Sequence, residues 1–309
     1  MQSSITINDA MRVSWLLLSI WLVANANAAS ASTRLYEDMS VLTSSEHQGR
    51  EAGSPTPNIT AQFLHERFQS LGIEVNYQSF EFKNGFFSKK LGHNVIATLP
   101  CTVDQCGKKL VITAHYDHLG GRENSFYAGA NDNATGTAAL LAIAKVLKEQ
   151  TRFSDVIFLA TDAEEKGLYG AKHYVSETDI NGYALNINLD MLAINNRNTL
   201  YALHDKKAKK YIEQFKQQEN PFKVFSTSSQ FRLHKKLNDN RINWHKASDH
   251  YAFSLKKIPY IYFGMGIDDK HHTKKDTLDN MNFEKYQAVV ESISDFIVSL
   301  AQIPLDSTN

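Results

Sequence analysis

The sequence predicts a three-layer α/β/α protein with a mostly parallel, mixed sheet at its centre. Two observations support this fold class. From residue 94 onward, short apolar runs, each long enough for one strand, alternate with helical patterns. The runs are apolar at consecutive positions, which is typical of strands that helices cover on both faces. We therefore expect one large α/β unit.

The individual elements are predicted in chain order. A helical pattern follows Pro57 and ends at Gly72, because glycine is favoured directly after a helix. The alternating segment 73–82 and the run 94–99 are predicted strands. Further strands are predicted at residues 108–115, 155–161, 184–192 and 259–265, and further helices at residues 137–150, 168–175, 207–218 and 283–302. The rest of the polar, lysine-rich segment 204–245 has only a weak pattern.

The N-terminal residues 1–28 are predicted to be a secretory signal peptide. An almost unbroken apolar run covers residues 13–23, with Arg12 directly before it and A-x-A patterns within residues 24–28. A positive flank, a short apolar core and a small-residue cleavage site are the parts of such a peptide. A membrane-spanning helix needs about 20 apolar residues, and this run is shorter. We therefore expect a secreted protein, periplasmic or extracellular, with residues 29–309 as one domain.

Charge and cysteine content narrow the class of protein further. Lysine plus arginine and aspartate plus glutamate number 33 each, and the sequence pI is about 7.2. Such a balance argues against a nucleic-acid partner, which a basic stripe would indicate. The two cysteines, Cys101 and Cys106, lack the C-x-x-C spacing of a zinc-binding pair. In an oxidising compartment we expect them to form a local disulfide.

The ends of the predicted strands carry acidic and imidazole side chains. They are His115 and Asp117, Glu164 and Glu165, Asp190, and, after a short loop, His271 and His272; Asp132 precedes the helix at 137–150. Taken singly, each has an ordinary explanation, such as a solvated histidine or a helix N-cap. Carboxylates gathered at one edge of a sheet would repel one another unless cations lay between them. Imidazole with carboxylate suits zinc, and two metals that share a carboxylate form a co-catalytic site.

Five ordered motifs resemble the co-catalytic dizinc aminopeptidases of the bacterial leucyl aminopeptidase and aminopeptidase S type. They are HYDHLG, GANDNATG, EEKGLYGAKHYV, NLDM and HHTKKDT, and SDHYAF at residues 248–253 also resembles a segment of that family. The resemblance covers the chain from Asn94 to the last helix. It implies that residues 29–309 are a zinc exopeptidase catalytic domain with the phosphorylase/hydrolase-like fold and two Zn²⁺ per chain.

The resemblance also implies a role for each motif residue. His115 and Asp190 would bind one zinc ion, Glu165 and His272 would bind the other, and Asp132 would bridge the two.

The remaining motif residues would act without binding metal. Glu164 would be the general base, and Asp117 would orient the metal-binding His115 by accepting its other ring N–H. In HHT the ligand of the family is the histidine directly before the threonine, so His272 is assigned in preference to His271.

The implied activity is that of a secreted metalloaminopeptidase that removes N-terminal residues, apolar ones in particular, through a hydroxide held by the two zinc ions. Side chains close to the motifs are candidates for the substrate pocket, although an ordinary core position explains them equally well. They are Met191, Tyr251, Phe253, Tyr262, Phe263 and Met265. The expected partners are peptides with a free N-terminus, and we expect a monomer without nucleic acid or membrane anchor.

Three alternatives stay open at this point. A glutaminyl cyclase shares the implied fold but uses one zinc ion, so metal counting distinguishes it. A carboxypeptidase of the wider superfamily would need an arginine near the pocket for the substrate carboxylate, and the arginines are scattered through the sequence. A catalytically inactive binding protein of the transferrin-receptor type would have lost ligand positions, and here every one is filled.

Overall fold

Ten strands and eight α-helices make up the described part of the chain. The computed structural model describes residues 32–54, 56–85, 88–122, 124–193, 198–238 and 240–305. The strands are β1 Glu74–Lys83, β2 Lys89–Leu99, β3 Lys109–His115, β4 Gly121–Arg122, β5 Ser125–Phe126, β6 Val156–Thr161, β7 Tyr183–Leu189, β8 Thr199–His204, β9 Lys223–Thr227 and β10 Tyr260–Gly264. The helices are α1 (32–42), α2 Thr56–Ser70, α3 Thr135–Lys148, α4 Tyr169–Glu177, α5 Lys209–Gln217, α6 Gln230–Leu237, α7 His250–Leu255 and α8 Phe283–Ala301.

Eight of the strands form one sheet in the order β1-β2-β6-β3-β7-β10-β8-β9, while β4 and β5 pair separately. The four central strands β6, β3, β7 and β10 run parallel to one another. Strands β1, β2 and β8 pair antiparallel with their inner neighbours, and β9 runs parallel to β8. The sheet is therefore mixed and mostly parallel, as predicted.

Alternate residues of the central strands pack into different layers. In β3, Leu110, Ile112 and Ala114 belong to the main core, whereas Val111 belongs to a second core on the other face. The main core includes side chains of α1, α2, α3, α5 and α8, and the opposite face is covered by α4, α6 and α7. Because helices cover both faces of the sheet, the central strands are apolar at consecutive positions in the sequence. The predicted three-layer arrangement is confirmed.

The weakly patterned part of the sequence contains real elements. Strand β9 and helix α6 lie in this segment and were not predicted. The other elements that were not predicted lie outside it: α1, β4, β5, β8 and α7. Helix α6 is short, and Leu233 is the one buried residue among its eight. Its position is set by packing beneath it, where Leu233 joins Trp244, Tyr260 and Tyr262 in a small cluster. Contacts between residues far apart in the chain do not appear in the local hydrophobic pattern from which helices and strands are predicted.

Cys101 and Cys106 form the predicted disulfide, with their Cα atoms 6.0 Å apart. The bridge follows β2, and the carboxylate of Asp155 accepts a hydrogen bond from the main-chain N–H of Cys101 at 3.0 Å. Because Leu99 pairs with Val156, the first residue of β6, the disulfide lies at the amino end of that parallel strand. This is the edge of the sheet opposite the carboxyl ends of the central strands.

Substituting Cys101→Ser is expected to lower the free energy of unfolding by about 2 kcal/mol, because the closed loop is short. Turnover should not change, since the bridge lies at the far edge of the sheet. Thermal unfolding and kcat of the variant and the native protein, measured side by side, test this. Two free thiols in the native exported protein would contradict it.

None of the helices within the described residues has both the length and the apolar character that crossing a bilayer requires. The predicted signal peptide, residues 1–28, lies outside the described part of the chain.

Candidate metal centre

The predicted site residues converge at one edge of the sheet. Strands β3, β6, β7 and β10 run in the same direction, so their carboxyl ends lie side by side. His115 is the last residue of β3, and Glu165, Asp190 and His272 follow β6, β7 and β10. The fifth predicted ligand, Asp132, lies in the turn before α3. Ligands of open α/β sheets bind at this edge. The architecture thus brings residues together that lie up to 157 positions apart in the chain, from His115 to His272.

Asp132 lies between two groups of donors. Its Oδ1 is 3.4 Å from Nε2 of His115, which is in turn 3.5 Å from Oδ1 of Asp190. Its Oδ2 is 3.1 Å from Nε2 of His272, which is 3.2 Å from Oε1 of Glu165. One carboxylate therefore presents one oxygen to each half of the site.

The main chain around Asp132 is held from two sides. Asp132 belongs to an irregular helical turn, Ala130–Ala134, that leads into α3. The buried carboxylate of Asp276 accepts hydrogen bonds from the main-chain N–H groups of Asn131, at 2.8 Å, and Asp132, at 3.0 Å. The hydroxyl of Thr137, in the first turn of α3, donates to the main-chain carbonyl of His115 at 2.9 Å. The loop that carries Asp132 is thereby joined to the end of β3.

Asp117 positions the two glutamates. Its fully buried carboxylate accepts hydrogen bonds from the main-chain N–H of Glu164 at 3.0 Å and of Glu165 at 3.2 Å. Nδ1 of His115 lies 3.1 Å from the main-chain carbonyl of Asp117 and 3.7 Å from its carboxylate. The nearer partner of that ring nitrogen is thus the main-chain carbonyl of Asp117. Either acceptor leaves Nε2 of His115 directed at Asp132 and Asp190.

The charges of the site are strongly coupled. Burial acts to raise the pKa of Asp132, but hydrogen bonds with imidazoles, that of His115 first, hold it well below its usual value. Burial and Asp132 act to raise the pKa of Glu165, yet its contacts with His118 and His272 lower it to about 2. Hydrogen bonds with Asp132 and Glu165 raise the pKa of His272 to about 10. Ionised carboxylates thus share protons with imidazoles at the places where a metal cation would lie.

The donor set fits zinc. One ligand atom from each of His118, Asp132, Glu165 and His272 lies within 4.8 Å of the others, and the same holds for His115, Glu164 and Asp190. In the described part of the chain, Oδ1 of Asp190 and Nε2 of His118 are buried without a hydrogen-bond partner. Buried polar atoms without partners are uncommon and call for an ion or a water. Nitrogen and carboxylate oxygen donors in groups of this size are typical of zinc centres.

Two histidines in the site were not assigned as ligands from the sequence. His118 is fully buried, and its Nδ1 lies 3.1 Å from Oε1 of Glu165. The ring of His271 stacks on that of His272, with centroids 3.8 Å apart, and its Nε2 is 3.4 Å from Asp132. His118 stands three residues after His115 in HYDHLG, and this spacing was the available signal. His272 contacts Glu165 as well as Asp132, which supports the preference for His272 over His271 as a ligand.

A further acidic group lies beneath the centre. Asp249, in the SDHYAF segment, is fully buried, and its carboxylate accepts a hydrogen bond from the hydroxyl of Thr161 at 2.5 Å. Burial raises its pKa to about 7, and His115 opposes that shift. The motif was recognised in the sequence, but no role was assigned to this aspartate.

A cavity of about 240 Å³ opens directly onto the centre. Its apolar wall consists of Met191, Ile242, Trp244, Ala247, Tyr262 and Ile267. Of the six predicted pocket residues, Met191 and Tyr262 line it. Phe263 and Met265 are in the main core and Phe253 is in the second core, which is the ordinary core position considered for them. Tyr251, which faces Lys246, is not among the lining residues either.

Four wall residues were not predicted, and one of them, Ile267, lies in the loop after β10. The other three come from the end of the lysine-rich segment or just after it. Ile242 and Trp244 lie in it and Ala247 follows it, where the sequence has almost no periodicity. Trp244 is 3% exposed and packs near Tyr262, with ring centroids 6.3 Å apart. A tryptophan within an otherwise polar segment was the sequence signal available for this part of the wall.

Comparisons with known proteins agree with this geometry. Aminopeptidase YwaD from Bacillus subtilis (strain 168) is 29% identical over 185 residues, which cover 57% of this chain and 37% of that protein. The chain thus matches well under half of that relative's length. Among solved structures, the zinc aminopeptidase BSAP from Bacillus subtilis matches with a TM-score of 0.69 and 15% identity, covering 90% of this chain and 98% of that chain. Glutaminyl cyclase from Fimbriiglobus ruber matches with a TM-score of 0.66 and 17% identity, covering 86% and 94%.

The structural neighbours establish the fold, and a family model establishes the membership. The model of peptidase family M28 matches residues 94–297, which is more than half of the 309-residue chain and includes every predicted metal ligand. On this match, and with the expected fold and donor groups in place, the chain belongs to peptidase family M28.

Proposed function

We propose that this protein is an exported aminopeptidase that uses two zinc ions to remove apolar N-terminal residues from peptides. The observation that carries the proposal is the placement of Asp132, whose two oxygens face two separate groups of donors at 3.1–3.4 Å. A bridging carboxylate is what a site for two adjacent metals requires.

The residues that would hold the metals divide into two sets around Asp132. His115 and Asp190 would hold one ion, and Glu165 and His272 would hold the other. Zinc bound there would supply a Lewis acid that polarises the scissile carbonyl and lowers the pKa of a water molecule. Asp117 would keep the β6 loop in place, because its carboxylate binds the main-chain N–H groups of both glutamates.

Glu164 is the group that would move the proton. It is half-buried, lies among the donors of the His115 set and is not part of the His272 set. Burial raises its pKa well above the usual value, His115 opposes this, and Glu165, Asp249 and Asp190 add to it. A carboxylate with a raised pKa is a better base near neutral pH. Glu164 would take the proton of the attacking water and pass it to the leaving amine.

The cavity next to the centre supports recognition of an apolar first side chain. Its apolar wall borders the metal-binding side chains, so a first residue bound against the wall would place its carbonyl near the centre. The substrate's ammonium group would lie at the acidic end of this cavity. Among the described lining residues there is no arginine or lysine, which weighs against a carboxypeptidase, since that needs a cation for the terminal carboxylate.

Glutaminyl cyclase is the second candidate, because proteins of that activity are among the relatives. Glutaminyl-peptide cyclotransferase from Drosophila melanogaster is 30% identical over 139 residues, 40% of this chain and 38% of that protein. Two donor groups favour the peptidase, since a cyclase of this fold would use a single zinc ion. Export is supported by the apolar N-terminal run and by the disulfide, which is stable in oxidising compartments.

A panel of peptides tests the proposal on the zinc-loaded protein. Leucyl, phenylalanyl, lysyl, aspartyl and glutaminyl peptides are compared with N-acetyl-leucyl peptide. We expect hydrolysis to be fastest for leucyl and phenylalanyl peptides and to be lost on acetylation, because the carboxylates then have no ammonium group to bind. Release of ammonia from the glutaminyl peptide without hydrolysis of the others would identify a cyclase and overturn the proposal.

A further inference from the structure

Arg50 is a buried cation that reaches the metal centre from outside the segment matched by the family. It lies in the loop between α1 and α2 and is fully buried. Its guanidinium donates to four main-chain carbonyls. These are Tyr116 at 2.7 Å, Leu42 at 2.6 Å, Ala128 at 2.8 Å and Gly129 at 2.8 Å.

Three of these acceptors lie at the two ends of segment 116–129, which connects the predicted ligand His115 to the turn that carries the predicted ligand Asp132. Tyr116 directly follows His115, and Ala128 and Gly129 directly precede the turn that carries Asp132. One planar guanidinium thus joins the chain leaving β3 to the chain entering α3. A guanidinium has five donors in a rigid fork, so it can hold several carbonyls at fixed separations.

The backbone of the same loop adds to this connection. The main-chain carbonyl of Arg50 accepts from the N–H of His118 at 3.1 Å, and that of Gly49 accepts from the N–H of Gly120 at 2.8 Å. Gly49 has φ = 71°, and a Cβ there would lie 2.3 Å from the carbonyl oxygen of Tyr127. Only glycine allows so close an approach. The loop at Gly49 and Arg50 is therefore packed directly against segment 116–129, which follows His115.

Arg50 also brings a positive charge beneath an acidic site. In the described part of the chain no carboxylate forms an ion pair with it. Burial lowers its pKa to about 10, while Asp276, Asp132, Asp117 and Glu165 raise it. The guanidinium stays protonated at neutral pH, and in a buried environment its field is screened little. A fixed cation of this kind offsets part of the repulsion among the carboxylates before any metal binds.

We propose that Arg50 is a positioning residue that holds His115 and Asp132 at metal-binding separation in the metal-free protein. The loop that carries Arg50 then supports the metal centre, although the matched family segment begins at residue 94. The inference rests on the proposed function only in taking His115 and Asp132 as ligands of one metal.

Arg152 provides a matched control for a purely structural role. It is 5% exposed, and its guanidinium also donates to four main-chain carbonyls, those of Pro100, Leu147, Lys148 and Gln150. These acceptors surround the C-terminal end of α3, far from its first turn at the metal centre. Arg50→Lys and Arg152→Lys each keep the charge but lose the fork, since an ammonium has three donors at one point.

The experiment is a Co²⁺ titration of the metal-free full-length protein and of both variants, followed by the visible absorption of the bound ion. Arg50→Lys is expected to weaken the apparent Co²⁺ affinity by about 10- to 100-fold and to change the spectrum, as loss of a group that orients ligands does. Arg152→Lys should lower the thermal midpoint while keeping the affinity and spectrum of the unsubstituted protein. Unchanged affinity and spectrum in Arg50→Lys, or equal losses in both variants, would overturn the inference.

Hydrogen exchange of the unsubstituted protein tests the same inference without relying on a variant that folds. The amides of His118 and Gly120 donate to the carbonyls of Arg50 and Gly49, so they are expected to exchange equally slowly with and without metal. Faster exchange of these amides after metal removal would overturn the inference. Failure of the unsubstituted protein to bind Co²⁺ would instead overturn the proposed function, and this inference with it.

Discussion

Replacing Glu164 with glutamine is expected to lower kcat by about 10²- to 10⁴-fold, the usual contribution of a general acid–base group. The amide is nearly the same size, and the main-chain N–H of residue 164 keeps its bond to Asp117, so the loop should not move. The loss should appear in kcat more than in KM, because the proton moves in the transition state. Steady-state kinetics on a leucyl peptide, with zinc content measured on the same sample, give the result.

Glu165→Gln is the matched control, since it makes the same chemical change one residue away. Glu165 contacts His118 and His272 at 3.1 and 3.2 Å, so its neutralisation should remove zinc as well as rate. The two variants are thus expected to separate: Glu164→Gln keeps its metal, and Glu165→Gln does not. If Glu164→Gln retains near-normal kcat, the proposed mechanism is wrong even though the fold stands.

Removing metal ligands on either side of Asp132 is the second change with a large expected effect. His115→Ala and His272→Ala should each reduce the zinc content from about two ions per chain toward one, because each removes a donor from a different set. Both variants should lose activity, and chelation should likewise abolish the activity of the unsubstituted protein. Added Zn²⁺ or Co²⁺ should restore activity to the chelated unsubstituted protein but not to the variants. Elemental analysis and peptide hydrolysis measure the two effects.

His271→Ala is the control for this pair. His271 stacks on His272 and approaches Asp132 at 3.4 Å, but the contact with Glu165 is made by His272. We expect His271→Ala to keep both zinc ions. If His271→Ala loses zinc while His272→Ala retains both ions, His271 is the ligand and the assignment of His272 is wrong.

The layers of the fold and the edge that carries the site could be predicted from the sequence. Apolar runs such as those of β3 and β6 are visible locally, because strands covered on both faces are apolar at every position. The position of His115 at the end of one run and of Glu164 and Glu165 after the next then follows from chain order. Parallel strands place their carboxyl ends at one edge, so a one-dimensional pattern indicates a shared site.

Which side chains complete the site was decided by the tertiary structure alone. Neighbouring residues of β10 point to opposite faces, so Tyr262 lines the cavity while Phe263 enters the main core, and proximity in sequence does not distinguish them. Trp244 reaches the cavity from a polar segment, and Arg50 reaches the centre from before the first strand. Apolar periodicity indicates only on which face of its own helix or strand a side chain lies. The contacts of Trp244 and Arg50 join residues that are far apart in the chain. Their positions depend on packing between elements, which a local pattern does not contain.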